Sequence, residues 1–566
     1  MKTDLYSYKT EPFAHQIEAT KYVVEHCLND PEGDNGFALF MSQGTGKTKT
    51  LIDIAENLYQ AGQIDRVLII APNGVHAQWG SDDPKVGQIL LHGFVPSSRF
   101  VWHSSVKNEQ KLRNWMLATR GCLLYLCVNV EAFSITHYLD TFKAFVKGGR
   151  TFVVIDEATS IKNPEANRTS NIINGLSDCA YRGKRLVQRK PCSTIRAILT
   201  GTPYAQGPYG LWSMMDFIKQ NYFGMNYYAF KAQYGIEHLV SYPGMLRPVR
   251  VPLKQADIKA IRRKHEEERM GAEEIAIDMG MTVTDVNYVI NNPDVNTPYK
   301  NMSELREKIA DRAVVIRKED CLDLPEKVYE TVLVPMNTEQ KRITKELQKS
   351  AYTLYQQGAL DVKNQISLRT RLHQVAGGFF PNKYELDENG MEVQAEQIKS
   401  TPIGKVEKLE ALKQRLENYK ELPAIVVTAF VAEARYLFEE LSSQYRCALI
   451  TGGVSKKERE NYEREFLAGN IDLLIATETT IAKGYNFQIA STMYFYSSMY
   501  SAEDRSQIED RIHRIGQTHT CVYVDFLSEG SVDHAVLETA KGNLMYQNYM
   551  TSGDPHDFFH FIGYEN

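Results

Sequence analysis

The sequence predicts an α/β protein with two parallel-sheet domains in tandem and a small helical insertion. Short runs of β-branched and aliphatic residues alternate with helical patterns over residues 36–217 and again over 403–527. Apolar strands separated by helices are typical of parallel sheets that are covered on both faces. Residues 240–300 break this alternation. The 566 residues also suffice for roughly three to four domains of ~150 residues each.

The predicted strands share uninterrupted apolar side chains. They cover residues 37–41, 66–71, 123–128, 152–155 and 197–200 in the first block, and 425–430, 448–451, 473–477, 493–497 and 522–527 in the second. We therefore predict a first α/β domain over 1–240, a helical insertion over 241–300, a helical bridging region over 301–400, a second α/β domain over 401–545 and a C-terminal tail over 546–566. The bridging region contains predicted helices over 302–312, 338–357 and 365–375 and a short hairpin over 382–393.

Composition and charge are those of an ordinary soluble globular protein. Hydrophobic residues make up 43% of the chain, charged residues make up 24%, and the formal net charge is −5. The first residues lack the apolar segment of a secretory signal, and no apolar run approaches the ~20 residues of a membrane helix. The eight cysteines lack paired CxxC spacing, which indicates a reducing compartment and argues against structural zinc. We expect a cytoplasmic protein that does not bind a membrane.

Residues 41–48, Met-Ser-Gln-Gly-Thr-Gly-Lys-Thr, have the pattern of a phosphate-binding loop between a strand and a helix. The glycines let the backbone aim amide N–H groups at phosphate oxygens, and the helix dipole favours the negative charge. The lysine is expected to reach the β- and γ-phosphates, and the last threonine is expected to bind Mg²⁺. The pattern normally begins with Gly or Ala, where this chain has Met. The predicted phosphate ligands are Gly44, Thr45, Gly46, Lys47 and Thr48.

Two adjacent acids follow the apolar strand at residues 151–155. Asp156 is expected to bind the hydrated Mg²⁺, and Glu157 is expected to orient or deprotonate the attacking water. Near the start of the chain, Phe13 is a candidate platform for stacking on adenine, and Gln16 is a candidate for recognising its edge. Alternatively, these two residues simply begin an amphipathic helix. The predicted ligand is ATP with Mg²⁺.

Several further motifs occur in an order that closely resembles the Swi/Snf-type ATPases of helicase superfamily two. The resemblance covers roughly residues 10–545 apart from the insertion. The motifs are DEATSIKN at 156–163, LTGTP at 199–203, LWSMMDF at 211–217, VVIRKEDCLDLPEK at 314–327, Thr451-Gly452 with Glu458-Arg459, Thr477 with GYNF at 484–487, and RIHRIGQ at 511–517. The compact length and the lack of appended chromatin-reading modules favour a bacterial or bacteriophage member.

The resemblance implies two RecA-like domains that share one ATP. Arg511 and Arg514 would be arginine fingers from the second domain, and their planar, always-charged guanidinium groups suit charge that develops on the γ-phosphate. Gly484 and Gln507 would also contact the nucleotide. His513, between the arginines, is better explained as a packed structural residue. Thr200, Gly201 and Thr202 resemble the element that relays the nucleotide state to DNA, although polar residues there would also cap a strand.

The resemblance also implies that one DNA strand crosses both domains and is held through its phosphates. Phosphate contacts carry no sequence information, which suits a motor that advances along any DNA. Each matching residue is alternatively a solvated loop residue. The predicted DNA contacts are Pro72, Gln78, Trp79, Asn129, Lys162, Asn163, Thr477 and Asn486.

The insertion contains a helix-turn-helix pattern at residues 272–291. Its apolar positions match that template, Gly280 would form the turn, and residues 254–269 would form a preceding helix. However, the expected recognition helix offers Thr284 and Asn287 but no Arg or Lys, whereas base and phosphate recognition usually relies on basic residues. The insertion is therefore either a DNA-contacting domain or a helical spacer that packs on the motor.

These observations predict an ATP-dependent DNA translocase that remodels branched or protein-bound DNA in replication, recombination or repair. One alternative is a strand-separating DNA or RNA helicase, for which the 382–393 hairpin would be the wedge. Another is a DNA-bound transcription or assembly factor that uses ATP hydrolysis as a switch. A third is the ATPase subunit of a defence or restriction complex. The acidic, aromatic residues 553–566 would either dock a protein partner or pack on the second domain.

Overall fold

The chain forms two compact units, Met1–Glu237 with Pro298–Leu322, and His238–Thr297 with Asp323–Asn566. The predicted domain boundaries stay predictions. The computed structural model describes residues 6–29, 35–84, 86–182, 185–201, 203, 207–240, 249–253, 255–293, 295, 297–357, 360, 362–386, 392–419, 421–482, 485–542 and 562. Throughout these ranges, every helix is too short or too polar to cross a membrane.

The strands are short, as the sequence predicts. They are β1 Asn35–Met41, β2 Arg66–Ala71, β3 Ser97–Val101, β4 Leu123–Asn129, β5 Thr151–Asp156, β6 Ser177–Arg182, β7 Arg185–Pro191, β8 Ile195–Thr200, β9 Glu237–Val240, β10 Val249–Pro252, β11 Ala313–Ile316, β12 Lys327–Val334, β13 Phe379–Leu386, β14 Glu392–Pro402, β15 Ala424–Thr428, β16 Cys447–Ile450, β17 Leu473–Thr477, β18 Thr492–Phe495 and β19 Cys521–Ser528.

Helices connect and cover these strands. They are α1 Ala14–Asn29, α2 Lys47–Gln60, α3 Val75–Gly80, α4 Gln88–His92, α5 Val106–Ala118, α6 Leu139–Lys147, α7 Asn167–Ile173, α8 Gly210–Ile218, α9 Tyr227–Tyr234, α10 Gln255–Glu266, α11 Ala272–Asp278, α12 Val283–Asn291, α13 Met302–Ile309, α14 Lys318–Cys321, α15 Thr338–Gln356, α16 Val362–Ala376, α17 Glu407–Tyr419, α18 Val431–Leu441, α19 Lys456–Leu467, α20 Glu478–Ile481, α21 Ala502–Glu509 and α22 Asp533–Ala540.

The first unit contains a parallel sheet of seven strands in the order β11-β1-β8-β5-β2-β4-β3. Successive side chains point to opposite faces, and both faces are buried: Leu68 and Ile70 belong to one apolar core, whereas Val67 and Ile69 belong to the other. A strand that is buried on both faces must be apolar at every position, which explains the uninterrupted runs in the sequence.

The second unit contains a parallel sheet of six strands in the order β12-β19-β18-β15-β17-β16. It too has two apolar cores, with Ile425 and Val427 on one face and Ala424 and Val426 on the other. The predicted tandem of two parallel-sheet domains is therefore confirmed. The bridging region adds an unpredicted strand to each sheet, because β11 pairs with β1 and β12 pairs with β19.

The predicted trihelical insertion is also confirmed. Helices α10, α11 and α12 pack through Ile258, Ile275 and Val286, which are buried. The backbone turns at Gly280, whose φ of 62° lies in the left-handed region. The predicted hairpin is longer than expected, since β13 pairs with β14 out to Pro402, and its turn lies outside the described residues.

The C-terminal tail is described at Ile562 alone. This side chain is buried with Ala351, Leu372 and Val532 of the second unit, and Gln348 Nε2 donates to its carbonyl oxygen at 2.8 Å. At this position, the tail packs on its own unit rather than presenting itself to a partner.

A cluster of buried ionisable side chains joins several helices of the second unit. Lys408 Nζ donates to Asp533 Oδ2 at 2.6 Å, and His373 Nε2 lies 3.9 Å from Asp533 Oδ1. Glu433 accepts a hydrogen bond from Ser497 Oγ at 2.5 Å. Burial raises the pKa of Glu433 to about 7 and lowers the pKa of His373 to about 4, because it disfavours the charged form of each.

Glu433→Gln is expected to change how stability depends on pH. The pKa of Glu433 is about 7 in the folded chain against an ordinary value of 4.5, so the folded chain binds this proton more tightly than the unfolded chain does. The resulting contribution to stability is fully present below pH 4.5 and is lost as the pH rises through 7. Glutamine cannot lose this proton, so the stability of the variant relative to wild type should rise by on the order of 3 kcal/mol from pH 4.5 to about pH 8. Thermal unfolding across this range measures the change. Glu439→Gln, exposed on the same helix, is the matched control, and parallel curves for the two variants would contradict the prediction.

Candidate functional site

The phosphate-binding loop follows β1 and leads into α2. Gly44 and Gly46 adopt φ values of 82° and 88°, a left-handed conformation that side chains with a Cβ rarely adopt. Lys47 Nζ donates to the Met41 carbonyl oxygen at 3.0 Å, and the buried Thr45 donates its hydroxyl to Ser42 O at 2.8 Å. Because α2 begins at Lys47, the first amide groups of this helix lack intrahelical acceptors and are available to an anion.

Gln16 is buried directly behind this loop. Its Nε2 donates to the Thr45 carbonyl oxygen at 3.0 Å, and its Oε1 accepts from the Phe13 N–H at 3.1 Å. A Cβ at Gly46 would lie 2.1 Å from Gln16 Nε2, so the loop and this amide fit only with glycine. Phe13 is 45% exposed and stacks on His15 with ring centroids 5.7 Å apart. The exposed ring suits stacking on a base, whereas the amide of Gln16 is occupied by main chain here.

Asp156 is buried at the carboxyl end of β5. Its Oδ2 accepts the indole N–H of Trp79 at 2.9 Å, and its Oδ1 accepts the Glu157 N–H at 3.1 Å. Burial raises the pKa of Asp156 to about 6, and Glu157 adds to this; Trp79 and the cation of Lys47 oppose it. Two hydrogen-bond donors therefore fix the orientation of this carboxylate.

Glu157 has a left-handed backbone, with φ of 51°. Non-glycine residues adopt this region at an energetic cost, and active sites are among the places where they occur. Gln43 Nε2 of the phosphate-binding loop donates to Glu157 Oε1 at 3.4 Å. The contact from Gln43 was not predicted from the sequence, because the loop pattern leaves that position variable.

The residues present fit a nucleotide with Mg²⁺. Thr48 is half-buried near the start of α2, and it would supply a hydroxyl oxygen, while Asp156 would supply a carboxylate. Mg²⁺ is typically held by one or two protein oxygens together with phosphate oxygens and water. Within the described ranges, no cluster of three or more His, Cys, Asp or Glu side chains could hold a metal by itself.

The end of β8 lies against the phosphate-binding loop. Thr200 is fully buried, and a Cβ at Gly201 would lie 3.3 Å from Lys47 Nζ, from Gln43 N and from Met41 O. A side chain at Gly201 would therefore be crowded by the loop and its lysine. Thr202, the third predicted coupling residue, lies outside the described residues.

Arg511 of the second unit contacts the main chain of three residues between α20 and β18. Its Nη1 donates to the Tyr485 carbonyl oxygen at 3.2 Å and its Nη2 donates to that of Ala482, while its own carbonyl oxygen accepts the Phe487 N–H at 3.0 Å. Ala482, Tyr485 and Phe487 are thereby held to Arg511. The predicted nucleotide contact Gly484 lies outside the described residues.

Arg514 is half-buried, and its carbonyl oxygen accepts the Gln517 N–H at 3.0 Å, whereas its guanidinium makes no hydrogen bond or ion pair with the described residues. Burial lowers its pKa, and the carboxylates of Asp510 and Glu463 oppose this shift. Glu463 also accepts the Asn486 N–H at 3.1 Å, a link between α19 and the 482–487 loop for which the sequence offers no signal. Gln507, the remaining predicted nucleotide contact, is half-buried on α21.

The other polar residues of RIHRIGQ are structural. His513 Nε2 lies 2.8 Å from the Pro325 carbonyl oxygen, as the structural reading of this residue predicts. Gln517 is buried, and its Nε2 donates to the carbonyl oxygens of Gln488, Ala490 and Ile512. These contacts hold the segment that follows α21 against Pro325, which precedes β12, and against the 488–490 turn.

The predicted DNA contacts of the first unit differ in their surroundings. Pro72 and Gln78 are half-buried at α3, and Asn129 Nδ2 donates to Glu131 Oε2 at 3.3 Å. Lys162 is half-buried, and Asn163 is exposed and accepts the Glu165 N–H at 2.9 Å. These five positions are reachable at the surface, and their DNA contacts stay predictions.

Trp79 and Thr477 require correction. Trp79 is 1% exposed and donates to Asp156, and Thr477 is 2% exposed with its Oγ1 2.9 Å from that of Thr480. Neither side chain reaches a surface where DNA could lie, because each fills the core beneath a strand end. Asn486 is half-buried, and its Oδ1 has no hydrogen-bond partner within the described part of the chain.

The trihelical insertion has little free positive charge. Residues 255–291 contain eight acidic and five basic residues, and α11 and α12 contain no Lys or Arg. Arg262 donates to the carbonyl oxygens of Asn292 and Val295 at 3.2 and 2.6 Å. Lys264 lies 3.1 Å from Asp278. The basic side chains of α10 are thus partly consumed within the insertion, which favours the spacer over DNA contact.

Alanine at both Thr284 and Asn287, exposed on α12, is expected to leave the affinity for duplex DNA within about twofold of wild type, since the net charge of the helix pair repels phosphates. Fluorescence anisotropy with a labelled duplex measures this. Lys162→Ala, which removes a cation from the first unit, serves as the comparator and should weaken binding. If the double variant lost more affinity for duplex DNA than Lys162→Ala does, the insertion would have to contact DNA.

Two protein-family models match this chain, and together they cover most of it. Residues 15–376 match the SNF2-related domain, and residues 407–516 match the helicase conserved C-terminal domain. "Probable ATP-dependent DNA helicase CHR12" of Arabidopsis thaliana is 23% identical over 538 residues, which cover 93% of this chain and 41% of the relative. "ATP-dependent helicase FUN30" of Saccharomyces cerevisiae is 20% identical over 549 residues, which cover 90% of this chain and 44% of the relative. The chain thus spans less than half the length of these curated relatives.

Among solved structures, the "Sulfolobus solfataricus SWI2/SNF2 ATPase core in complex with dsDNA" is 17% identical, with full coverage of both chains and a TM-score of 0.37. The family itself is shown by the SNF2-related domain, which matches well over half of the sequence from the start of α1 to the end of α16. The chain belongs to the SNF2-related family.

Proposed function

We propose that this chain is an ATP-dependent DNA translocase. The observation that carries the proposal is the carboxyl edge of the first sheet, where three strand ends meet. The phosphate-binding loop after β1 meets the acids after β5, because Gln43 donates to Glu157 and the charge of Lys47 acts on Asp156. Gly201 after β8 lies beside the same loop, where an added Cβ would be 3.3 Å from Lys47 Nζ. This arrangement suits cleavage of a triphosphate and leaves a backbone element against the loop that can report its state.

In the first unit, Lys47 and the amide groups at the start of α2 would bind the β- and γ-phosphates. Thr48 and Asp156 would bind Mg²⁺, which when present neutralises phosphate charge. Glu157, held by Gln43, would orient the attacking water and accept its proton. Lys47, Asp156 and Glu157 each already make a side-chain hydrogen bond, so little ordering of these three is required when the nucleotide binds.

In the second unit, Arg514 is the better placed of the two candidate fingers, because its guanidinium makes no hydrogen bond within the described part of that unit. Arg511 would contribute through the 482–487 loop that it holds, and to reach a phosphate it would have to release the carbonyl oxygens of Ala482 and Tyr485. ATP would thereby alter a loop that carries Asn486, a predicted DNA contact. This coupling suits a motor that moves along DNA.

DNA would be held through its phosphates by the surface residues of both units. The polar and cationic groups at Lys162, Asn163 and Asn486 suit phosphate oxygens and carry no preference for sequence. We assign remodelling of branched or protein-bound DNA in replication, recombination or repair as the cellular role. The names of two relatives, a probable ATP-dependent DNA helicase and an ATP-dependent helicase, support an ATP-dependent activity on DNA.

Arg514→Ala is expected to lower the rate of ATP hydrolysis by about 10³-fold or more, because an arginine finger stabilises charge that develops in the transition state. The affinity for a fluorescent ATP analogue should stay close to that of wild type, since the finger acts after binding. Steady-state hydrolysis and equilibrium titration measure the two quantities. Arg464→Ala, an exposed arginine on α19, is the control, and near-normal turnover in Arg514→Ala would remove the finger assignment.

DNA is expected to stimulate hydrolysis, and duplex or branched DNA should do so more than RNA. Its affinity should fall with added salt, with a log–log slope of about −1 for each phosphate that a lysine or arginine such as Lys162 neutralises. Hydrolysis assays with single-stranded, duplex and branched DNA and with RNA decide the substrate, and Glu157→Gln provides the inactive control. A flat salt response would refute the phosphate contacts, and stimulation by RNA alone would overturn the DNA assignment.

The β13–β14 hairpin favours a second candidate, a strand-separating helicase, because its arms are longer than the sequence predicts. A helicase of this kind needs a wedge that enters between the strands. Two assays distinguish these functions. Translocation alone suffices to displace a bound protein or a triplex-forming strand from a duplex, whereas release of a labelled strand from a forked duplex requires strand separation. Release of the labelled duplex strand would favour the helicase.

A further inference from the structure

Helix α3 is anchored in the core of the first unit by one of its faces. Trp79 is 1% exposed, and His76 is 4% exposed with its Nε2 3.2 Å from the Trp102 carbonyl oxygen. A Cβ at Gly80 would lie 2.7 Å from Val101 Cγ2 and 3.1 Å from Cys127 Sγ. The helix therefore packs directly on β3 and β4, and its position in the core allows little movement without strain.

The other side of this segment faces outwards. Pro72 and Gln78 are both half-buried, and they are two of the predicted DNA contacts. The Pro72 carbonyl oxygen accepts the N–H groups of Val75 and His76 at 3.1 and 3.2 Å, so the turn at Pro72 and the first residues of α3 form one hydrogen-bonded piece. A load on Pro72 or Gln78 is consequently transmitted to the whole helix.

Trp79 is the point at which this helix touches the candidate metal ligand. Its Nε1 donates to Asp156 Oδ2 at 2.9 Å, while Asp156 Oδ1 accepts the backbone N–H of Glu157. An indole offers one donor and no acceptor, so this bond has a single direction and a single geometry. The contact is fully buried, where a hydrogen bond to a carboxylate is strong and its loss is costly.

We propose that Trp79 is a positioning residue that connects DNA bound at α3 to the Mg²⁺ site at Asp156. By holding one carboxylate oxygen, the indole would keep the carboxylate in the orientation that binds the metal, and DNA bound at Pro72 and Gln78 would hold α3, and with it the indole, in this position. The proposal deepens the proposed function and rests on it, since it assumes that the chain hydrolyses Mg–ATP and that DNA stimulates this reaction.

Trp79→Phe tests the hydrogen bond with the least change in volume. We expect the Mg²⁺ concentration at half-saturation, measured by binding of a fluorescent ATP analogue without turnover, to rise by about tenfold or more, as is typical when a group that orients a metal ligand is removed. Nucleotide binding in the absence of Mg²⁺ should be unchanged. DNA stimulation of hydrolysis should fall by a similar factor, while DNA affinity measured without nucleotide should stay within about twofold.

Trp102→Phe is the matched control. Trp102 is also fully buried in the first unit, but its Nε1 has no hydrogen-bond partner in the described part of the chain. It therefore reports the cost of replacing a buried indole by a phenyl ring. In a second arm, Trp79→Phe is combined with Asp156→Ala, which removes both oxygens that could accept the indole N–H, and in this background the tryptophan substitution should no longer alter Mg²⁺ dependence.

The outcomes separate the two claims. If wild type hydrolyses no ATP or does not respond to DNA, the proposed function fails. If wild type responds but Trp79→Phe and Trp102→Phe share the same Mg²⁺ half-saturation and the same stimulation, the role of Trp79 fails while the proposed function stands. Additive effects in the double variant would likewise assign Trp79 to general packing. If Trp79→Phe does not fold, Trp79→His, which keeps a ring N–H, is measured in its place and should retain most of the wild-type response.

Discussion

The parallel direction of the seven strands in the first sheet is the constraint on which the candidate site depends. Parallel strands present all their carboxyl ends at one edge, so residues that are far apart in the chain meet there. Pairing of β8 with both β1 and β5 places Gly201 between the phosphate-binding loop and Asp156. An additional Cβ at Gly201 would lie 3.3 Å from Lys47 Nζ, so the three strand ends have no spare room.

In the second unit, a buried network of charged side chains fixes the position of the candidate arginine fingers. Arg505 on α21 donates to both carboxylate oxygens of Asp525 at 2.6 and 3.1 Å and to Glu509 at 2.9 Å, and its guanidinium lies 3.4 Å from the ring centre of Phe495. A buried ion pair of this kind contributes modestly to net stability, whereas loss of one partner leaves an uncompensated charge. The network therefore fixes the position of the end of α21, and with it the position of the segment that carries Arg511 and Arg514.

Much of the fold was predictable because its strands are buried on both faces. Such strands must be apolar throughout, and each predicted strand overlaps an observed one, from β1 at Asn35–Met41 to β19 at Cys521–Ser528. The added strands β11 and β12 were missed. They are edge strands, and the alternate residues of β12 are exposed, so they lack the continuous apolar run that marks a central strand.

The candidate site was predictable where local sequence carries the chemistry and was not where packing assigns the partner. Lys47, Asp156 and Glu157 follow from a loop and a strand end that each need those residue types. The burial of Trp79 and Thr477 does not, because a polar or aromatic residue at a strand end is compatible with both a solvated and a buried position. The contacts of Gln43 with Glu157 and of Glu463 with Asn486 join segments more than twenty residues apart.

The sequence by itself determined the order of apolar strands, the left-handed glycines of the phosphate-binding loop, the paired acids and the two arginines, because each is a local requirement of backbone or charge. The tertiary structure alone decided which side chains orient them. Trp79 reaches Asp156 only because α3 packs against β4. Arg511 reaches Ala482 and Tyr485 because β17 and β18, after which these two parts of the chain follow, both pair with β15. A hydrogen bond forms between atoms within about 3 Å of each other, and folding of the whole chain, not local preference, brings them to that distance.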